Sequence, residues 1–233
     1  MTAPQLYVAG DIHYAGGSHP ILAWLDELAQ RPPARLVLLG DVVEWWVDSG
    51  GCCARYAPLL DRLRALRARR WTLDIVRGNR ELIAGRRFAV ASGARLHWPR
   101  LELALGGRRI RIEHGDRLLD DPLYRGWSAL ARSLPFRVWS SLHPPALQEA
   151  VARWLRRHSA GRRPGRRIRL DPRRLAASAR GVDALLFGHI HACWRRQLGA
   201  CECILVGDWP AGEGRWVEGY ADGRLAPRRR RWP

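Results

Sequence analysis

The chain has 233 residues, 40 Lys+Arg against 22 Asp+Glu, a formal net charge of +18, 47% hydrophobic residues and 12 Trp. That length suits one domain, or one domain with an insertion, able to bury roughly 70% of its unfolded surface, and the apolar and Trp content excludes a wholly disordered chain despite the charge. No window reaches the ~18 apolar residues of a membrane span, and Met1-Thr2-Ala3-Pro4-Gln5 lacks the basic start of a secretory signal, so the expected location is cytoplasmic.

Short apolar runs alternate with amphipathic stretches through the first hundred residues. Residues 6–10 read as a buried strand. Residues 18–30 read as a helix with Ile21, Leu22, Leu25 and Leu28 on one face, stopped by Pro32-Pro33. Residues 35–39 are a second buried strand. Residues 56–69 are a helix with Leu59, Leu60, Leu63 and Leu66 inward and arginines outward, and residues 72–76 are a third strand. This β-α-β-α-β rhythm predicts a parallel sheet with helices on its faces. Residues 95–98, 101–105 and 109–113 then read as short strands of an antiparallel hairpin region, with the turn Gly106-Gly107 between the last two.

From 122 to about 160 the chain reads as helical and rich in large apolar groups (Leu123, Trp127, Leu130, Leu134, Phe136, Trp139), and 161–169 is a basic loop broken by Gly and Pro. Asp171-Pro172 starts a helix running to Arg180. Residues 184–187 are one more buried strand, followed by short strands at 203–206, 215–218 and 224–226. The terminal Arg228-Arg229-Arg230-Arg231-Trp232-Pro233 is expected to fray. The organisation expected is one domain made of residues 1–121 and 167–233, interrupted by a helical insertion, or lid, at 122–166.

All 40 basic residues are Arg, a bias that a high-GC genome produces by itself, but the field is real. It attracts phosphates, nucleic acid and anionic membrane faces without choosing among them. Cys52, Cys53, Cys193, Cys201 and Cys203 form no pair of CxxC knuckles, and Cys201-x-Cys203 is too tight for the usual structural zinc spacing, so free thiols are expected.

The chemistry gathers at the predicted strand ends. Gly10-Asp11-Ile12-His13, Gly40-Asp41-Val42-Val43-Glu44, Gly78-Asn79-Arg80-Glu81, His114-Gly115-Asp116 and Gly188-His189-Ile190-His191 each follow a strand. In open α/β sheets ligands bind outside the carboxyl ends of the strands, so these five clusters can converge on one site. Asp11, His13, Asp41, Asn79, His114, His189 and His191 offer imidazole nitrogens, two carboxylates and an amide oxygen, with no thiolate. That mixed set suits Mn²⁺, Fe²⁺, Zn²⁺ or Mg²⁺. Seven ligands exceed what one tetrahedral ion needs, whereas two ions about 3.5–4 Å apart and sharing a carboxylate use them all. Each cluster alone is weak, and Asp41 by itself reads more readily as a helix cap. The ordered set of five carries the reading. His19, His97, His143 and His158 fall outside it.

The order D-x-H, G-D-x-x-E, G-N-[RH]-[DE], H-G-D, G-H-x-H resembles the calcineurin-like metallophosphoesterases. The resemblance implies an α/β fold, the αββα sandwich of two mixed sheets flanked by helices. It implies that Asp11, His13 and His191 bind one metal, that Asn79, His114 and His189 bind the second, and that Asp41 bridges them. Two divalent ions, with Mn²⁺ expected, would bring a shared water toward a neutral pKa and make it the nucleophile. Asp41, Asn79, Arg80 and His114 are the catalytic candidates.

Almost the whole chain is similar to the UDP-2,3-diacylglucosamine diphosphatase branch. Arg80 follows Asn79 where the wider family often has His. Asp41-Val42-Val43-Glu44-Trp45-Trp46, Gly78-Asn79-Arg80-Glu81, Arg86-Arg87-Phe88, Asp120-Asp121 with Tyr124, and Val206-Gly207-Asp208-Trp209 match its motifs. The branch implies hydrolysis of the pyrophosphate of UDP-2,3-diacylglucosamine at the α-phosphorus, to UMP and 2,3-diacylglucosamine 1-phosphate, in lipid A biosynthesis. Asn79, Arg80, Asp121, Tyr124, Ser159, Arg163, Arg166 and His189 are then the substrate contacts.

Chemistry supports that substrate class. A phosphate monoester leaves at neutral pH without full protonation, so a general-acid His is dispensable, and Arg80 can hold a phosphate bidentately. The apolar lid is expected to enclose acyl chains. The basic loop at 162–169 and the arginines at 228–231 are expected to hold the protein peripherally on the anionic inner face of the inner membrane, at about 1 kcal/mol per Arg; no specific nucleic acid is expected. Three departures from the branch stand out: Glu81 in place of Asp, His191-Ala192-Cys193 in place of H-[RK]-P, and the absence of R-x-N-S-K within 153–166. They keep open an alternative, a related metallophosphoesterase acting on another nucleotide or lipid diphosphate or phosphodiester. A basic nucleic-acid-binding module with a dead metal site is the reading from another class, and the seven intact ligands stand against it.

Overall fold

Every residue of the first strand, β1 (Leu6–Ala9), is buried, which a strand achieves only with cover on both faces. The computed structural model describes residues 3–47, 50–81, 84–121 and 169–232, together with 126, 128–130, 133, 144, 147 and 150. The expected lid therefore lies almost wholly outside the described residues. Parallel to β1 run β2 (Arg35–Leu38), β3 (Thr72–Val76) and β4 (Arg95–His97). A hairpin of β5 (Arg100–Leu105) and β6 (Arg108–Glu113) opens a second sheet, in which β7 (Ala184–Phe187) and β9 (Cys201–Leu205) continue parallel to β6 and β8 (Trp194–Leu198) returns antiparallel on β9. Strands β10 (Glu213–Gly219) and β11 (Leu225–Arg231) come back to the first sheet, antiparallel to β1 and to each other. The orders are β11-β10-β1-β2-β3-β4 and β5-β6-β7-β9-β8.

Strand alternation divides the core into three layers. Leu6, Val8, Val37, Leu39 and Val76 of the first sheet meet Ile110, Ile112, Ala184, Leu186 and Ile204 of the second. The next residues along, Tyr7, Ala9, Leu36, Leu38, Leu73 and Ile75, face outward onto α1 (Pro20–Leu28) and α3 (Ala57–Ala68). Outside the second sheet, Leu185, Phe187, Cys203 and Leu205 pack with Leu118 and Ala179. Two short helices, α2 (Gly50–Arg55) and α4 (Arg86–Ser92), join the first outer layer, and α5 (Pro172–Ala179) carries Ala179 in the second. This is the expected αββα arrangement.

Local chemistry sets the helix starts. Pro20 occupies the first turn of α1, where His19 Nδ1 accepts from the Ile21 N–H at 3.2 Å. At α5 the Asp171 carboxylate accepts from the N–H groups of Arg173 and Arg174 at 2.9 and 3.4 Å. Among the described residues no helix is long and apolar enough to cross a membrane.

Three expectations need correction. Residues 95–97 do not belong to the hairpin: β4 extends the parallel sheet, because the buried Asp74 of β3 accepts from Arg95 Nε at 3.1 Å and pairs with His97 Nε2 at 2.6 Å. Helices α2 and α4 and strand β8 were not anticipated. The basic terminus does not fray. Arg228 Nε donates to Glu218 at 2.9 Å, Arg230 Nη1 to Glu27 at 2.8 Å and Trp232 Nε1 to Glu27 at 3.0 Å. The Trp232 ring also stacks on Trp209, centroids 6.0 Å apart.

Candidate metal centre

Five loops leave β1, β2, β3, β6 and β7 at the same end of the sandwich, and each turns within one or two residues. Asp11, His13, Asp41, His189 and His191 all take left-handed backbone, with φ of 50, 52, 48, 75 and 49°. Such conformations are disfavoured for residues with a side chain and collect where function fixes geometry. The loops sit against one another with no spare room. A Cβ on Gly78 would fall 2.4 Å from Asp41 Oδ1, and one on Gly40 2.5 Å from His114 Nδ1. Backbone bonds tie the first two loops together, Asp11 N–H to Gly40 O at 3.1 Å and His13 N–H to Asp41 O at 2.8 Å. Glu81, fully buried, ties the second to the third: its carboxylate accepts from Asp41 N and Val43 N at 3.0 Å and from Gly78 N at 3.2 Å.

The donor atoms converge in two groups. Asp11, His13 and His191 bring ligand atoms within 4.8 Å of one another, and so do Asp41, His114 and His189. His13 Nε2 and His191 Nε2 are 3.1 Å apart, and His189 Nδ1 and His114 Nε2 3.0 Å. Asn79 Oδ1 is 2.9 Å from His114 Nε2 and so joins the second group. Asp41 stands between the groups, with Oδ1 3.5 Å from His114 Nε2 and Oδ2 3.8 Å from His13 Nε2.

Electrostatics fit a cation at this point. Asp11 Oδ1 is buried with no hydrogen-bond partner, although buried carboxylate oxygens are rarely left so. Burial raises the Asp11 carboxyl to about 7 against the pull of His114. Burial also works to raise Asp41, but His114 and His13, then His189 and Arg80, outweigh it and hold that carboxyl below the usual range. Burial disfavours the His114 imidazolium, yet the carboxylates of Asp41 and Asp11 overcome this and lift it to about 9. His13 and His189 are lowered by burial to about 4 and stay neutral. Burial and the Asp41 charge together push Glu81 up to about 7. Neutral imidazoles, carboxylates and an amide oxygen around an orphaned buried oxygen are a donor set for divalent ions.

All seven ligand candidates are therefore brought together. Arg80 is at their edge: its N–H donates to Asp41 Oδ1 at 2.9 Å, and its side-chain Nε is buried without a hydrogen-bond partner, 3.8 Å from Asp41 Oδ2. Asp121 is half-buried beyond the turn at Asp116–Leu118. Tyr124, Ser159, Arg163 and Arg166 lie outside the described residues. His19 and His97 serve the α1 cap and Asp74, away from the ligand groups, and the five cysteines are free thiols. One neighbour of the centre had no role assigned from sequence: Asp208 Oδ2 is 3.5 Å from His191 Nδ1. The signal was present, since Gly207-Asp208 repeats after β9 the Gly-Asp pattern that marks Asp11 and Asp41.

The family described as calcineurin-like phosphoesterase matches residues 4–193. Among curated proteins, a UDP-2,3-diacylglucosamine hydrolase of Chromobacterium violaceum is 29% identical over 223 residues, covering 91% of this chain and 93% of that protein. The protein so named from Pseudomonas paraeruginosa is 30% identical over 218 residues, 88% of this chain and 90% of its own. That from Stenotrophomonas maltophilia is 29% identical over 205 residues, 81% and 82%.

Proposed function

The chain belongs to the calcineurin-like phosphoesterases, within their UDP-2,3-diacylglucosamine hydrolase branch, and from that premise we propose that it hydrolyses the pyrophosphate bond of UDP-2,3-diacylglucosamine. Water attacks the α-phosphorus, and the products are UMP and 2,3-diacylglucosamine 1-phosphate, a step in lipid A biosynthesis. The observation that carries the proposal is the position of Asp41, one oxygen toward each donor group, at 3.5 and 3.8 Å.

In this reading Asp11, His13 and His191 would hold one divalent ion, Asn79, His114 and His189 would hold the other, and Asp41 would serve both; Mn²⁺ is our choice of ion. When bound, the pair supplies Lewis-acid charge to the phosphoryl oxygens and brings a water toward a neutral pKa. The protein's part is orientation. Leu39 O, 3.0 Å from His114 Nδ1, turns that ring so that Nε2 faces the site. Glu81 holds the loops of Asp41 and Asn79 in register. Arg80 presents a fixed fork with an unpartnered Nε to the α-phosphate, and keeps its charge as the phosphate gains its own. The leaving phosphate monoester needs no proton from the chain.

Asp121 is the one further substrate contact of this reading that falls on described residues; Tyr124, Ser159, Arg163, Arg166 and nearly all of the expected lid at 122–166 lie outside them. The net charge of +18 supports a peripheral place on the anionic inner face of the inner membrane rather than a specific nucleic-acid target. Within 228–231, Glu218 and Glu27 already pair Arg228 and Arg230, which leaves less of that charge for a lipid face.

The test is product analysis by mass spectrometry. The Mn²⁺-loaded protein is incubated in H₂¹⁸O with UDP-2,3-diacylglucosamine, with UDP-N-acetylglucosamine and with bis-p-nitrophenyl phosphate. ¹⁸O-labelled UMP from the diacylated substrate alone is expected. Turnover of the simple ester alone would retain the metal chemistry and refute the lipid assignment, with 153–166 as the segment that changed the substrate.

A further inference from the structure

We infer that Asp208 is a positioning residue for His191, and through it for one of the two divalent ions; the inference rests on the dinuclear reading above. An imidazole can ligate through only one of its nitrogens at a time, and the proton must then sit on the other. His191 Nε2 points into the donor group, 3.1 Å from His13 Nε2, so Nδ1 has to carry the proton. Asp208 Oδ2 stands on that side, 3.5 Å from Nδ1. A carboxylate there favours the Nδ1–H tautomer, fixes the ring plane and makes Nε2 a better donor. His114 shows the same orientation with a weaker partner, its Nδ1 held by the Leu39 carbonyl at 3.0 Å.

The carboxylate is itself anchored. Arg215 Nη1 donates to Asp208 Oδ1 at 3.0 Å, and Arg215 Nε donates to Glu213 at 2.8 Å, so β10 fixes which oxygen is left for His191. Gly207, at φ 93°, leaves the room: a Cβ there would fall 2.9 Å from Arg215 Cδ. On the other side the Trp209 N–H donates to Asp11 O at 3.4 Å, so the residue after Asp208 rests on the loop that bears a ligand of the same group. One short segment thus sets both His191 and Asp11.

The test titrates Mn²⁺ alone into chelator-stripped protein, followed by electron paramagnetic resonance, for the wild type, Asp208→Ala and Asp208→Asn. Asp208→Ala should weaken one of two sites about 10–100-fold and leave the other within twofold. Asp208→Asn, whose amide oxygen still accepts from Nδ1–H, should fall between. Long-range ¹H–¹⁵N spectra of the imidazoles should show His191 as the Nδ1–H tautomer in the wild type and as a mixture in Asp208→Ala. Wild-type affinity at both sites in Asp208→Ala would overturn the inference alone. So would equal weakening of both sites together with a lowered melting temperature, which marks a merely structural residue. A wild-type chain that binds no Mn²⁺ would overturn this inference and the dinuclear reading together.

Discussion

Arg80→Ala separates a guanidinium that holds substrate from one that holds the fold. The backbone of Arg80 works in both chains: its N–H donates to Asp41 Oδ1 and its carbonyl accepts from Trp46 N, each at 2.9 Å, and alanine keeps both. What alanine removes is a side chain 28% exposed, 3.8 Å from Asp41 and 4.0 Å from Glu44. Ion pairs that long, beyond hydrogen-bond reach, contribute about 1 kcal/mol. A chain of this size should therefore melt within about 4 °C of the wild type. On the proposed reading, the Nε without a hydrogen-bond partner acts on the substrate instead. A charge-assisted donor aimed at charge that develops in the transition state contributes about 3–4 kcal/mol, or roughly 10²–10³ in kcat/KM. Steady-state release of UMP gives that ratio, and metal per chain by mass spectrometry gives the control. The expected result is a fall of that size with both ions retained and with little recovery in Arg80→Lys, whose point charge lacks the fork. Loss of metal together with a lowered melting temperature would show that Arg80 is structural, and unchanged kcat/KM would remove it from the reaction.

The other predictions test the frame around it. Asp41→Ala should abolish turnover and lower the occupancy of both metal sites; full activity, or loss of one ion only, would end the bridging assignment. Gly78→Ala places a Cβ 2.4 Å from Asp41 Oδ1 and 2.5 Å from Asp41 N. The Asp41 backbone cannot yield cheaply, and its carboxylate is held in the site, so denaturant melts should show a loss of about 1–3 kcal/mol, with weaker Mn²⁺ retention against a chelator; an unchanged midpoint would show slack in the loops. Asp74→Asn addresses acid stability. Burial works to raise the Asp74 carboxyl, but hydrogen bonds from His97 and Arg35, then Arg95, outweigh it and hold the pKa below its ordinary value. A depressed carboxyl adds stability above its unfolded pKa, about 3.9, which is lost as pH falls through the folded value. The variant should be about 1–3 kcal/mol less stable at pH 7 and lose less than the wild type between pH 5 and pH 2. Parallel stability curves over that range would refute the assignment.

The centre was legible in the sequence because each of its parts is local. A strand, a glycine and one or two ligands occupy seven or eight consecutive residues, and strand order in an α/β sheet brings such segments to one end. The layers were legible for a similar reason, since the alternation of Leu6 and Val8 with Tyr7 and Ala9 declares two covered faces. What escaped depends on partners far along the chain. Nothing within 95–97 says that β4 joins β3 rather than β5; Asp74, some twenty residues earlier, decides it. Nothing within 228–232 distinguishes a loose basic tail from a strand, because Glu27, which receives both Arg230 and Trp232, is about two hundred residues away.

Apart from Glu27, which lies on α1, one device recurs. Acids carried on strands, largely buried, each collect several arginines: Asp74 takes Arg35 and Arg95, Glu218 takes Arg31 and Arg228, and Glu202 takes Arg108 and Arg195. Burial makes such pairs matter to register, since an unpaired carboxylate in that position is costly, and it makes the arginines part of the sheet rather than of the solvated surface. The field of +18 is therefore an unequal guide to partners. Arginines opposite a strand-borne acid are committed to the fold. Among the described residues Arg80 faces no strand-borne acid, and its buried Nε, 3.8 Å from Asp41, makes no hydrogen bond beside the ligand groups, which is the position the proposed phosphate contact requires.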